Sequence, residues 1–148
     1  MALVAVADDI RESWSWIGIE LADVVRVSKF GNVVFADQTG QYWRICPEEL
    51  ECKPIADSPA AFEQLLGDPE FVNDWEMARL TNLAEAKYGI QPVGRCFCLK
   101  IPAVLGGAYD IENIGTIGFG ELIRFSGDIA RQIKDLPSGS KIQFKVVE

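Results

Sequence analysis

The 148-residue chain contains no histidine. That removes the commonest general base and the commonest metal ligand. Neither a Ser-His-Asp triad nor a Cys-His pair can be assembled, and an ordinary histidine-based zinc site is excluded. The chain also lacks an apolar run of the roughly 18 residues that a membrane-spanning helix needs. Its apolar N-terminus, Met1 to Ala7, is brief, carries no basic residue and meets Asp8 and Asp9 at once, which makes a poor signal peptide. We expect a short strand or the buried edge of a helix there. Basic residues are scarce: 14 Lys and Arg stand against 22 Asp and Glu, for a net charge of −8. Direct nucleic-acid binding and docking on an anionic membrane both leave a basic footprint, and neither is expected here. There is no Walker lysine and no G-x-G-x-x-G, so no phosphate-cradling loop is legible.

Cysteine is sparse too. Cys46, Cys52, Cys96 and Cys98 make an even count, but a chain this long can bury a full core without disulfides. Zinc-binding pairs are usually separated by two to four residues. One residue lies between Cys96 and Cys98, and five lie between Cys46 and Cys52. We therefore expect buried, reduced thiols in a cytoplasmic protein, with no metal and no cofactor.

What is present is an ordinary globular composition, 49% hydrophobic and 24% charged, near the common size of one domain. The stretch Ile10 to Val27 reads as helical, then extended. Val33 to Ala36 and Gln41 to Ile45 carry β-favouring residues around the turn sequence Asp37-Gln-Thr-Gly40, which predicts a hairpin. Pro47-Glu-Glu49 is a turn and Glu51 to Ile55 a third strand. Ser58-Pro59 and Asp68-Pro69 are helix starts, with a capping side chain followed by proline at the first helical position. The first helix is expected to end near Leu66 and the second near Tyr88. Gly94 to Ile101 reads as a strand with Phe97, Leu99 and Ile101 on one face, and Ile111 to Ile117 as another. Phe119 to Leu136 has apolar positions at the helical period. Lys141 to Val147 alternates as a strand should. The sum is an α+β fold: one domain over residues 1–148, with a mostly antiparallel sheet and helices packed on one face.

Two features could carry chemistry or recognition. Asp110 and Glu112 follow a double glycine and could form a carboxylate pair, but nothing else converges on them in sequence. A turn whose polar groups satisfy the backbone is the simpler reading. The acids are also unevenly spread. From Glu48 to Glu76 there are nine acids and one base, Lys53, so this segment carries a charge equal to the excess of the whole chain. Such a run is either a solvated face or a surface for a basic partner.

The segment Cys96-Phe-Cys-Leu-Lys-Ile-Pro-Ala-Val-Leu-Gly-Gly-Ala-Tyr-Asp-Ile-Glu-Asn-Ile114 resembles the C-terminal domain of the Tdi-type type VI secretion immunity proteins. In that family a strand ends in P-A and a leucine before a double glycine, then leads through D-x-x-N to a final helix. Pro102, Gly106, Gly107, Asp110, Glu112 and Asn113 occupy the matching places. Upstream, Phe30-Gly-Asn-Val-Val-Phe-Ala-Asp-Gln-Thr-Gly-Gln-Tyr-Trp-Arg-Ile45 resembles the same proteins' F-G-N…D-x-x-G-x-x-W hairpin through Gly31, Asp37, Gly40 and Trp43. The likeness spans about residues 25–135, and with so compact an N-terminal part the separate leading domain of longer members is not expected. It implies a non-enzymatic immunity protein that binds and neutralises a cognate secreted effector toxin, a nuclease with a basic surface and DNase in type. The motif residues look like fold-forming turns.

Two other readings stand beside this one. The first is a small-ligand or peptide-binding regulator of the wider immunity-like superfamily. The second is an enzyme using Asp110 and Glu112. If there is a toxin interface, the acidic third is its expected seat: Asp57, Glu63, Asp68, Glu70, Asp74 and Glu76, with Trp75 either an aromatic anchor or part of the core.

Overall fold

A computed structural model describes residues 3–137 and 139–140. The strand expected at Lys141 to Val147 lies outside these residues. The chain begins with helix α1, Leu3–Trp14, and then forms four strands: β1 Leu21–Val27, β2 Val33–Asp37, β3 Tyr42–Cys46 and β4 Glu51–Ala56. They pair antiparallel in chain order as a meander. Three helices follow, α2 Pro59–Leu66, α3 Pro69–Glu76 and α4 Ala78–Tyr88. The antiparallel pair β5 Arg95–Leu99 and β6 Ile114–Gly118 then leads straight into α5, Phe119–Ile133. The fold is α+β with an antiparallel sheet, as expected from the sequence, but helices lie on both faces of the meander: α1 and α5 pack on the side of Val33 and Phe35, α2 and α3 on the side of Val34. Among the described residues, no helix is long and apolar enough to cross a membrane.

Side-chain chemistry written into the sequence holds the predicted hairpin. In its turn Asp37 Oδ1 accepts from Thr39 Oγ1 (2.6 Å), Thr39 N (2.8 Å) and Gln41 N (3.1 Å), while Asp37 Oδ2 accepts from the Trp43 indole (2.9 Å). The Thr39 hydroxyl, with the Trp43 indole and the backbone donors behind it, holds the Asp37 carboxyl below its ordinary range against a weaker opposing effect of burial. The two predicted caps also form: Ser58 Oγ accepts from Ala61 N (3.1 Å) and Asp68 Oδ1 from Glu70 N (3.0 Å).

The main core lies where α1 and α5 cover β1 and β2, built from Ile10, Trp14, Val24, Val33, Phe35 and Ile123. The helices come close enough for the Trp14 indole to donate to Ile123 O (3.2 Å), and a Cβ on Gly127 would clash with the Ser13 backbone. Two smaller cores flank this one. Phe30, Leu80, Ala84, Phe97 and Leu99 form one; Val34, Ala56, Phe62 and Trp75 form the other.

The structure corrects several boundaries. The single helix expected from Asp68 to Tyr88 is two, broken at Met77, whose φ is 46°. Trp75 must reach the Val34–Phe62 core while Leu80 and Ala84 reach the Phe97–Leu99 core. One straight helix cannot present both faces, and no glycine or proline marks the bend. The strand expected over Ile111 to Ile117 begins only at Ile114, after a 3-10 turn at Ile111–Asn113. Leu136, expected on the buried face of α5, lies beyond the helix end and is 48% exposed. Ile101 is 51% exposed instead of sharing the buried face of Phe97 and Leu99, because the chain leaves β5 after Leu99.

The double-glycine turn is built around Asn113. Its Oδ1 accepts from Ile101 N (3.0 Å), and its Nδ2 donates to Ile101 O (2.9 Å) and Ala108 O (2.9 Å). The amide thus extends the β5–β6 pairing where backbone pairing stops. Gly107 N donates to Pro102 O (3.0 Å), and a Cβ on Gly107 would fall inside the Ile101 carbonyl. Gly107→Ala should therefore cost about 3 kcal/mol, near the upper end of what overpacking costs. Chemical denaturation would check this, and a loss below about 1 kcal/mol would mean that the turn yields.

Candidate functional site

A cleft of about 650 Å³ opens between the β3–β4 connection and the α3–α4 break. Its architecture starts at Asn32, which is 1% exposed just before β2. Both ends of this amide are used. Asn32 Nδ2 donates to Glu48 Oε1 (3.0 Å) and Oε2 (2.9 Å), and Asn32 Oδ1 accepts from Arg44 Nε (2.9 Å).

Glu48 is 6% exposed because Pro47–Glu49 form a 3-10 turn that ends on Leu50 at φ 51°. The turn carries Glu48 inward and leaves Glu49 at the surface of the cleft. Burial raises the Glu48 pKa, opposed by the Asn32 donors, the Cys46 thiol and the charge of Arg44. Burial also raises the Cys46 thiol, with Glu48 adding to the effect. Burial pushes Cys52 and Cys96 up to about 12, so these are inert thiols. All four cysteines are free.

Arg44 spans the wall of the cleft. Its Nη1 donates to Asp74 Oδ2 at 2.6 Å, and its guanidinium lies 5.2 Å from the Trp75 ring centroid and 5.7 Å from that of Phe71. Held by one hydrogen bond, one ion pair and two rings, it is a fixed cation. On the far side the Tyr109 hydroxyl donates to Glu49 Oε1. Burial raises the Tyr109 pKa, and the bond to Glu49 raises it further. Ile55, Met77 and Leu80 supply apolar surface.

The sequence-predicted site residues are dispersed. Asp57, Glu63, Asp68, Glu70 and Glu76 are exposed on α2, α3 and the connections that precede them, and of these Asp68 caps α3. Asp74 alone of the seven lines the cleft. Trp75 is 8% exposed and belongs to the core beneath Arg44, so it is not an exposed anchor. The motif residues Gly31, Asp37, Gly40, Trp43, Pro102, Gly106, Gly107 and Asn113 sit in or beside turns, and three of the glycines (Gly31, Gly40 and Gly106) have positive φ. Asp110 and Glu112 are exposed around a 3-10 turn. Neither lines the cleft. Among the described residues no cluster of three or more acidic or thiol side chains is placed to hold a metal ion.

Sequence reasoning passed over Asn32, Arg44, Glu48, Glu49 and Tyr109. Glu48 and Glu49 were counted as part of a charged run. The available signal was their setting, an acid pair between Ile45-Cys-Pro and Leu50 in a turn between two strands.

The family model described as "T6SS immunity protein Tdi1, C-terminal" matches residues 56–130, from the end of β4 into α5. No curated protein matches the chain.

The buried carboxylate yields two expectations. Asn32→Ala removes both amide bonds to Glu48, leaving it the Cys46 thiol, and takes from Arg44 Nε its acceptor while Asp74 still holds Nη1, and should destabilise by about 3 kcal/mol, measurable by urea denaturation. Glu48→Gln tests the charge itself. A folded-state pKa raised above the unfolded value of about 4.5 means that wild-type stability falls as pH rises from there through the folded pKa. The wild-type Tm relative to Glu48→Gln should therefore decline as pH rises above about 4.5. A difference that is flat or grows with pH would contradict the assignment.

Proposed function

We propose a function from one premise: the chain belongs to the T6SS immunity protein Tdi1, C-terminal, family. It is thus a type VI secretion immunity protein, which neutralises an effector. The finer reading is that neutralisation is stoichiometric binding, that the effector is a DNase, and that the encounter takes place in the cytoplasm. On this reading residues 1–148 act as one domain.

The charge distribution supports the nuclease reading. An enzyme that cuts DNA presents basic residues to phosphates. A partner with net charge −8 is attracted to the same surface and competes for it with DNA. The exposed acids Asp57, Glu63, Glu70 and Glu76 supply the long-range part of this attraction. Exposed charges act over roughly a Debye length, about 8 Å at physiological salt, so their effect is on the rate of encounter.

The test is to mix the purified protein with the product of the neighbouring toxin gene. A stoichiometric complex, loss of DNase activity and an association rate that falls with salt are expected. Glu63→Lys combined with Glu70→Lys should slow association by about tenfold at low salt with an unchanged Tm. An association rate indifferent to both salt and charge reversal would move the interface elsewhere.

A further inference from the structure

We infer that the cleft between the β3–β4 connection and the α3–α4 break seats one long cationic side chain of the effector, an arginine or lysine carried on a loop. This inference rests on the effector-binding reading and names what anchors the complex once encounter has occurred.

Charge accounting within the cleft points to a cation. Three basic residues line it, and each is already engaged. Arg44 is held by Asp74 and Asn32, Lys53 Nζ lies 3.1 Å from Glu51, and Arg79 reaches Tyr109 O at 3.4 Å. The other two lining carboxylates, Glu48 and Glu49, differ from Glu51 and Asp74. Their hydrogen-bond donors are neutral: the Asn32 amide and the Cys46 thiol for Glu48, the Tyr109 hydroxyl for Glu49. Among the described residues, neither makes an ion pair. Glu48 is buried and firmly held, whereas Glu49 sits at the surface of the cleft where an incoming group can reach it.

The shape completes the match. Arginine and lysine combine an apolar stem with a charged head. Here Ile55, Met77 and Leu80 offer apolar surface beside the carboxylates. An apolar side chain would cover Glu49 without supplying a donor, at a desolvation penalty. An anion would meet four carboxylates and three cations that are already bound. A bare metal ion has no cluster of three acidic or thiol groups to receive it among the described residues.

A seated, desolvated cation should govern how slowly the complex dissociates, unlike the exposed acids, which govern encounter. The experiment measures association and dissociation of the neighbouring toxin gene's product, catalytically inactivated, on the wild-type protein and two variants. Glu49→Gln removes the charge and keeps an acceptor for Tyr109. Ala78→Arg fills the cleft from the exposed start of α4. Each should raise the dissociation rate by about tenfold, with association within about twofold and Tm unchanged. A double-mutant cycle of Glu49→Gln against alanine substitutions of the effector's Lys and Arg residues should single out one coupled residue. Wild-type dissociation rates in both variants, or no coupled cation, would overturn the cleft assignment and leave effector binding standing. No complex with the wild-type protein would overturn both.

Discussion

A buried carboxylate has to be met by donors, and in this protein the amide of Asn32 meets it. Charge burial carries a penalty of several kcal/mol, and hydrogen bonds to a charged group return roughly 1.5–3 kcal/mol each. Two such bonds run from Asn32 to Glu48, and the other end of the same amide accepts from Arg44. This arrangement ties the entry of β2 to the 3-10 turn that follows β3. It sets which way the turn faces, and so places Glu49 at the surface while Glu48 is buried. It also fixes Arg44, which reaches across to Asp74 on α3 and lies over Trp75 and Phe71. One amide therefore registers the sheet, the turn and a helix against one another.

The break at Met77 is the second constraint. Residues before it pack on the far strands through Trp75, and residues after it pack on β5 through Leu80 and Ala84. The backbone must bend where these two surfaces diverge, and the cleft lies in the angle so formed. Tyr109 closes its far side by donating to Glu49. The double-glycine turn, with the Asn113 amide standing in for strand backbone, delivers Tyr109 to that position.

Charge then acts at two ranges in this type VI secretion immunity protein. The exposed acids of α2, α3 and the connection that precedes α2 form a diffuse field, strong at low salt and screened at high salt. Within the cleft, carboxylates sit beside apolar side chains and partly away from water, where screening is weaker. A basic partner would be drawn by the first and retained by the second. The interior of the sandwich between α1, α5 and the meander takes no part in either. Its work is to hold the frame, with the Trp14 indole satisfied by a helix carbonyl.

By itself, the sequence determined the local structure. Asp37-Gln-Thr-Gly40 encodes a hairpin whose turn is stapled by its own aspartate; Ser58-Pro59 and Asp68-Pro69 encode helix starts; the period of Phe119 to Ile133 encodes α5. Each rests on contacts between near neighbours, which spacing reveals. The net acidity and its concentration in Glu48 to Glu76 were equally legible, as was the family through the turn residues Pro102 to Asn113; the hairpin residues Gly31 to Trp43 lie outside the matched residues 56–130. The tertiary structure decided which acids are inside. Glu48 and Glu63 look alike as letters, yet one is buried against an amide 16 positions away and the other is exposed on α2. It likewise decided that Trp75 is core and that α3 and α4 part at Met77, and it joined Arg44 to an aspartate 30 positions downstream. None of these follows from propensity or period. Each depends on long-range packing, where the penalty for a dry charge and the need to cover two separate cores are settled together.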